Sequence, residues 1–292
     1  MTGPLLAGAA GLGFGVFQTL NRRAVAGLPD AYLATFLQLL VALVVLVGAS
    51  LATEDLGDLR TATTAALAWF AAAGVVHFAL GWTLLNMSQM RVGAALTSPL
   101  LSTNPVFGAL IAAIALRELP GLVTWAGIVI VTIGALIVSL PRAAEVGWAG
   151  HWRDSVWGLG ASFAWAISPI CTKKGLEGLS SPLLGVTLGM AVAVAVYSLA
   201  LPLRPDAEGA IAWDALSFKL LAGIFVALST WLRWLSLDYS PVGVVLALGL
   251  LSVPVVLVLS PLLMGRHVEQ VGKEIWIGAT LVVGGSLLLV VA

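Results

Sequence analysis

The segment from Trp125 to Leu136 reads WAGIVIVTIGAL, and it recurs near the end of the chain, from Trp276 to Leu287, as WIGATLVVGGSL. Both copies begin with tryptophan and carry glycine at their third and tenth positions. An ordered set of matches at one spacing indicates an internal repeat, so the chain is expected to contain two copies of one unit. Further matches at nearly the same spacing are Glu118 with Glu269 and Arg22-Arg23 with Lys173-Lys174.

The composition excludes a soluble protein. Of the 292 residues, 60% are hydrophobic and 10% are charged, and the mean hydropathy is +1.05. An ordinary soluble domain is about 25% charged, so this chain has too few charges to cover a water-exposed surface. The net charge is zero, which predicts no nucleic-acid partner. Cys171 is the only cysteine, which excludes a disulfide framework and a multi-cysteine metal site, and no metal or cofactor is expected.

Long apolar runs rich in leucine, alanine and valine divide the chain into membrane spans. Lipid offers no hydrogen-bond partners, so each run must satisfy its own backbone as a helix of about 20 residues. The predicted fold class is therefore an all-α polytopic membrane protein. Charges and turn residues separate ten candidate spans, at residues 4–21, 31–52, 64–88, 92–116, 121–140, 155–172, 182–202, 217–238, 242–264 and 272–291.

Each copy of the repeat holds five spans, and this odd number starts the second copy on the opposite side of the membrane. The predicted architecture is ten transmembrane helices arranged as two inverted five-helix repeats around a central cavity. The first repeat covers residues 1–141, a connecting segment 142–154 and the second repeat 155–292. Inverted repeats are typical of transporters, whose substrate site lies at the repeat interface. The alternative is a repeat kept only for folding.

Polar residues inside spans are costly in lipid and mark candidate substrate contacts. Gln18 lies on the first span, on the same face as Gly11, and Asn104 lies on the fourth. Proline kinks a helix, so we expect Pro105 and Pro254, in the matching fourth and ninth spans, and Pro169 in the sixth to form gates or kinks. Helix packing and serine or threonine bonds to the backbone are the alternative explanation for these polar faces.

Two titratable or charged groups lie within spans. His77, in the third span, could bind a carboxylate or carry a proton, and Arg233, in the eighth, could anchor an anionic group between aromatic walls. The alternatives are a neutral histidine bonded to a neighbouring helix and an arginine that extends to the headgroups. The predicted substrate-binding set is Gln18, His77, Trp82, Asn104, Trp165, Trp231 and Arg233.

No acidic residue lies in the middle of a span. Ion-coupled carriers usually hold a carboxylate at membrane depth, so movement down a gradient is expected unless His77 titrates. The sequence has no HExxH motif, no P-loop and no cluster of acids at one face. The chain is therefore expected not to be an enzyme, and a membrane-embedded lipid-modifying enzyme is the weaker alternative.

The paired segments carry a resemblance to a known family. In each copy a basic pair closes the first span, and a glutamate after the fourth span precedes a glycine-rich fifth. The chain thereby resembles the drug/metabolite transporter superfamily and looks like an EamA-type permease over nearly its whole length. The resemblance implies a ten-helix exporter of a bacterial-type inner membrane, with spans one to four and six to nine around the cavity. The paired segments are Ala10–Gly27 with Ala161–Gly178, Val92–Glu118 with Val242–Glu269, and Trp125–Leu136 with Trp276–Leu287.

Departures from the family pattern bear on the cargo. Many members have Arg-Phe in the second span, where this chain has Thr35-Phe36, and related multidrug carriers have a glutamate in the first span, where this chain has Phe14 and Gly15. Proton antiport of that kind is therefore not expected. The aromatic, weakly polar candidates suit a neutral or aromatic amino acid, by analogy with YddG-type exporters, and purine-like or drug-like compounds stay open. The expected partners are a small-molecule substrate and the lipid bilayer, with a monomer as the functional unit.

Two rules disagree on the orientation. Nine basic residues, with Lys219 counted among the loop residues, follow odd-numbered spans, and five lie on the other side. The positive-inside rule then puts both termini outside. The family resemblance implies that both termini are cytoplasmic, and we adopt that orientation as the expectation.

Overall fold

The computed structural model describes residues 2–25, 31–147, 153–200, 213–264 and 272–291. These residues are helical almost throughout, and none of them lies in a β-strand. The first half contains α1 (Thr2–Val25), α2 (Ala31–Thr53), the short α3 (Asp58–Thr61), α4 (Thr64–Gly74), α5 (Gly81–Leu101), α6 (Asn104–Ala115) and α7 (Leu122–Val146). The second half contains α8 (Ser155–Leu176), α9 (Pro182–Ala200), α10 (Trp213–Tyr239), α11 (Val242–Gly249), α12 (Ser252–Met264) and α13 (Lys273–Val291).

The ten predicted spans correspond to these helices. The sixth is α8, whose 22 residues are long enough to cross a bilayer but include several polar side chains. Most of α8 is buried, so these side chains face protein and not lipid. The fold class is therefore an all-α polytopic membrane protein, as predicted. Nine further stretches among the described residues are long and apolar enough to span: Thr2–Ala24, Tyr32–Thr53, Thr64–Gly93, Leu96–Ala115, Leu122–Glu145, Pro182–Ala200, Trp213–Tyr239, Val242–Leu263 and Lys273–Val291.

The third span is a composite helix. α4 passes through a π-helical segment, Val75–Leu80, into α5, and the chain turns at Gly93, whose φ is +78°. Glycine adopts this conformation without the strain that a side chain would cause. The part of α5 after Gly93 begins the fourth span, and α6 completes it. α7 continues through Pro141 and so enters the predicted connecting segment 142–154, of which residues 148–152 lie outside the described residues.

Helix contacts relate the two halves by an approximate twofold axis. α1 packs against α10, and α8, the counterpart of α1, packs against α4 and α5, the counterparts of α10. α2 packs against its own counterpart α9, and α7 packs against its counterpart α13. α6 packs against α8, as its counterpart α12 packs against α1. Exchanging the two halves therefore preserves this pattern of contacts.

The contact between α7 and α13 uses the repeated glycines. A Cβ on Gly134 would lie 2.6 Å from the carbonyl oxygen of Gly278, and a Cβ on Gly278 would lie 2.6 Å from that of Gly134. A Cβ on Gly127 would lie 3.4 Å from the carbonyl oxygen of Gly285. Since Gly127 corresponds to Gly278 and Gly134 to Gly285, the twofold axis exchanges the two contacts. Small residues let the two backbones approach closely where lipid offers no hydrophobic driving force.

The two halves run in opposite directions. We call the membrane side at which α1 begins face I and the side at which it ends face II. A Cβ on Gly3, at the start of α1, would lie 2.8 Å from the Cβ of Tyr239, at the end of α10. At the end of α8, Lys173 pairs with Glu118, which also accepts the Val242 N–H just beyond Tyr239 at 2.8 Å. The start of α1 and the end of α8 thus share face I, so the second unit is inverted.

Large apolar side chains cover the outside of the bundle. Leu122 is 90% exposed and Ile114 is 84% exposed, which would be unfavourable in water but suits lipid. Polar side chains such as Gln38, Ser162 and Thr230 are fully buried instead. Because polar groups at membrane depth tend to be functional, candidate sites lie in the interior.

Candidate functional site

Spans four and nine are interrupted at corresponding places, between α5 and α6 and between α11 and α12. Pro105 and Pro254 lie in the first turn of the helix that follows each break. N–H groups in a first turn have no partner within the helix, so a proline costs no helical hydrogen bond there. Interrupted helices in matching positions are typical of transporter substrate sites. Pro169, in contrast, lies inside the continuous helix α8. The role of these prolines as gates or kinks stays a prediction.

The first helix of each unit packs against the break in the other unit or beside it. Ser162 of α8 and Thr103, in the first break, share a hydrogen bond of 3.1 Å between their hydroxyl oxygens. Gly11 of α1, the repeat partner of Ser162, lies against the carbonyl oxygen of Leu248, next to the second break. Both breaks therefore face helices of the opposite unit, at the interface between the repeats.

His77 and Trp165 meet across this interface. At the end of the π-helical segment the Gly81 N–H bonds to the Val76 carbonyl, five residues back. Within this segment, the His77 carbonyl accepts from the Trp165 Nε1–H at 3.0 Å, and the two rings lie 6.0 Å apart. His77 Nδ1 lies 3.0 Å from the Ser168 hydroxyl oxygen. These two hydrogen bonds hold the π-helical segment against α8.

Arg233 lies at the same interface. Its guanidinium carbon is 5.8 Å from the centre of the ring of Phe14, which belongs to the other unit. Arg233 is half-buried, and no carboxylate among the described residues pairs with it. A half-buried cation without an acidic partner attracts an anionic group.

Aromatic rings extend this group. Trp82 is buried, its ring lies 5.8 Å from that of Phe17, and its indole N–H has no partner among the described residues. Phe17 in turn contacts Phe14 at 6.5 Å, and Trp231 packs half-buried against the same core. We call His77, Trp165, Arg233, Phe14 and Trp82 the central group.

Gln18 differs in burial from the rest of its helix face. It is exposed, although it lies roughly 130° around α1 from the lipid-facing Leu5 and Leu12. It shares its face with Gly11, two turns earlier, which is buried against α11. This face of α1 is therefore buried at Gly11 and exposed at Gln18, which lies nearer to face II.

Asn104 begins α6 directly after the first break. Its side chain is half-buried, and its carbonyl oxygen Oδ1 is buried without a donor among the described residues. An unpaired buried acceptor is unfavourable unless a ligand or water bonds to it. Within the described ranges, no hydrogen bond or ring contact joins Gln18, Asn104 or Trp231 to the central group.

Two interior residues were not among the site residues predicted from the sequence. Ser168 is 1% exposed and shares a hydrogen bond with His77. The available signal for it was the series of serine and threonine residues along α8. Counting Lys219 among the loop residues was wrong, because α10 begins at Trp213 and buries this lysine in its second turn. A glutamine inside the apolar second span, Gln38, was the sign that a buried polar partner existed.

Face I has a set of bonds around Glu118, which we call the tie, and a hollow beside it. The Glu118 carboxylate bonds to Lys173 of α8 and to the first N–H of α11, which joins three segments at this side. A hollow of about 520 Å³ opens beside this tie. Three cations and three carboxylates line the hollow, and two pairs of them, Lys173 with Glu118 and Lys174 with Glu177, form ion pairs. It is lined by Ala115, Leu116, Arg117, Glu118, Lys173, Lys174, Leu176, Glu177, Leu237 and Asp238.

Two inverted five-span units, with interrupted helices and a polar aromatic group at their interface, define a polytopic membrane transporter. The sequence model of the EamA-like transporter family matches residues 1–140 and residues 153–291, once in each half. The chain belongs to this family, and it is a multi-pass membrane transporter of the drug/metabolite type.

Solved structures share the fold. One, described only as the crystal structure of a protein, aligns with a TM-score of 0.71 over 96% of this chain and 95% of its own, at 18% sequence identity. At that identity the similarity shows the fold alone. In total 27 chains among the solved structures match, and no curated protein does.

Proposed function

We propose that the protein exports neutral or aromatic amino acids by alternating access between its two repeats. The observation that carries the proposal is the central group, in which a cation without an acidic partner lies beside aromatic rings at the repeat interface. Family members are transporters, which favours transport over a membrane-embedded lipid-modifying enzyme.

Each part of an amino acid has a complementary group. Arg233 is suited to the carboxylate, because a guanidinium forms two parallel hydrogen bonds with it. Phe14, Trp165 and Trp82 offer apolar rings to the side chain, and the Trp82 indole N–H has no other partner among the described residues. The unpaired Oδ1 of Asn104 is an acceptor for the ammonium group.

Alternating access would exchange the states of the two faces. Gln18, nearer to face II, is exposed, while Glu118 and Lys173 tie the helices together at face I. We propose that the substrate's own gradient drives net movement, since no carboxylate lies at mid-span. We also propose a monomer in a bacterial-type inner membrane with both termini in the cytoplasm.

The test is uptake of radiolabelled amino acids into liposomes that contain the purified protein. We expect saturable flux of the labelled neutral amino acid. Unlabelled neutral and aromatic amino acids are expected to compete with it and lower this flux. A protonophore is expected to leave this flux unchanged, because no ion gradient drives it. Protein-free liposomes give the background.

The competitors in the same assay separate the cargo classes. Absence of saturable flux for every neutral amino acid would contradict the amino acid assignment. Saturable flux of a nucleoside or a cationic drug in that case would assign the alternative purine-like or drug-like cargo.

A further inference from the structure

A second polar cluster lies near face II, separate from the central group. Lys219 of α10 is 2% exposed, and Gln38 of α2 is 0% exposed. The Lys219 ammonium donates to the side-chain oxygen of Asn21 on α1 and, at 2.9 Å, to that of Gln38. Three helices thus meet around one buried cation, which is not part of the central group.

This cluster has more donors than acceptors. An ammonium has three N–H groups, and within the described part of the chain two of those of Lys219 have partners. The Gln38 Nε2 is buried and has no acceptor among the described residues. No carboxylate within the described ranges pairs with Lys219. An ammonium held only by neutral amide oxygens has no counter-charge, and an arriving anion would supply one, so the cluster is complementary to an anion.

The cluster also lies in line with the central group. Lys219 and Arg233 are separated by close to four turns of α10, so they share one side of the helix, and their Cα atoms lie about 21 Å apart along its axis. The antiparallel helix α1 follows the same line, with Phe14 beside Arg233 and Asn21 beside Lys219. Gln18 lies between them on α1 and is exposed. The two cations therefore lie along the same contact between α1 and α10.

We propose that Lys219 and Gln38 form a second carboxylate-binding subsite, through which the substrate passes between the central group and face II. The Asn21 oxygen occupies the place of the carboxylate when no substrate is bound. An arriving carboxylate displaces it, because a charged acceptor forms a stronger bond with the ammonium than an amide oxygen does. The inference rests on the proposed function only for the identity of the molecule that carries the carboxylate.

The first test compares an amino acid with its carboxamide analogue in proteoliposomes. In the Lys219→Met variant, which keeps the length and apolar body of the side chain, we expect the half-saturation concentration of the amino acid to rise about 10-fold or more. That of the carboxamide is expected to stay unchanged, since it carries no negative charge. Lys273→Met is the matched control, because Lys273 is exposed at the start of α13. An equal effect on both compounds, or none, would overturn the subsite.

A second variant separates ligand binding from a structural tie. Asn21→Ala removes the acceptor that competes with the carboxylate, so we expect the half-saturation concentration of the amino acid to fall severalfold. If Lys219 only tied α1 to α10, losing Asn21 would weaken the bundle without any gain in affinity. This outcome decides the question even if Lys219→Met fails to fold.

Binding in detergent keeps the subsite testable without transport. Benzoate is expected to raise the unfolding temperature of the wild type more than benzamide does, and Lys219→Met is expected to reduce this difference to the part that Arg233 contributes. If no amino acid is transported but Lys219→Met still reduces the difference, the cargo assignment fails and the subsite stands. If benzoate and benzamide act alike on the wild type, the subsite is refuted whatever the cargo.

Discussion

Replacing both His77 and Trp165 with alanine is expected to lower saturable flux in proteoliposomes by about 100-fold or more. The double variant loses the imidazole, the ring that faces it and the hydrogen bond from the indole to the His77 carbonyl. Each lost polar contact leaves a buried partner unpaired, which costs about 1–3 kcal/mol, and two such losses give a factor of this size.

The control for this variant is Trp276→Ala. Trp276 lies on α13, is 54% exposed and belongs to no part of the central group, so flux is expected to stay near the wild-type value. Elution of both variants as single species from a sizing column would exclude misfolding. Wild-type flux in the double variant would remove His77 and Trp165 from the site.

The second large effect concerns the contact between α7 and α13. The Gly278→Ile variant is expected to be destabilised by about 3 kcal/mol or more, because its Cβ would meet backbone atoms that cannot move aside. A Cβ at this position would lie 2.6 Å from the Gly134 oxygen and 3.0 Å from the Val138 nitrogen. The measurement is the yield of monodisperse protein in detergent, followed by thermal unfolding.

Gly284 provides a control on the same helix. A Cβ there would meet nothing within 4 Å, so Gly284→Ile is expected to behave like the wild type. Gly134→Ile is expected to match Gly278→Ile, because each glycine meets the carbonyl oxygen of the other. Equal stability of the Gly278 and Gly284 variants would show that the helices do not meet as described.

The spans and the repeat were predictable from sequence for a physical reason. Lipid forces each crossing into one long apolar helix, so the hydrophobic runs mark the spans directly. The repeated glycines were also readable, because close backbone contact admits no other residue at Gly134 or Gly278. Even the less apolar α8 stood out, since charged residues flank it.

The details of the candidate site were not predictable, because they depend on contacts between distant segments. No local signal distinguishes a π-helical turn from an α-helical one, yet His77, whose carbonyl accepts from Trp165, lies in that turn. Lys219 resembles an ordinary residue of a helix end until Asn21 and Gln38 are brought against it. The sequence therefore predicts which residues are unusual, while the partner of each depends on the packing.

Sidedness of the two units tests the central claim most directly. Met90 and Tyr239 lie at corresponding ends of the third and eighth spans and are 81% and 59% exposed. Met90→Cys and Tyr239→Cys would each be labelled in oriented vesicles with a membrane-impermeant maleimide, in a background where the single cysteine, Cys171, is replaced by serine. Inverted units predict that the two cysteines react from opposite sides of the membrane. Reaction of both from the same side would contradict the inversion and, with it, a transport site between the repeats.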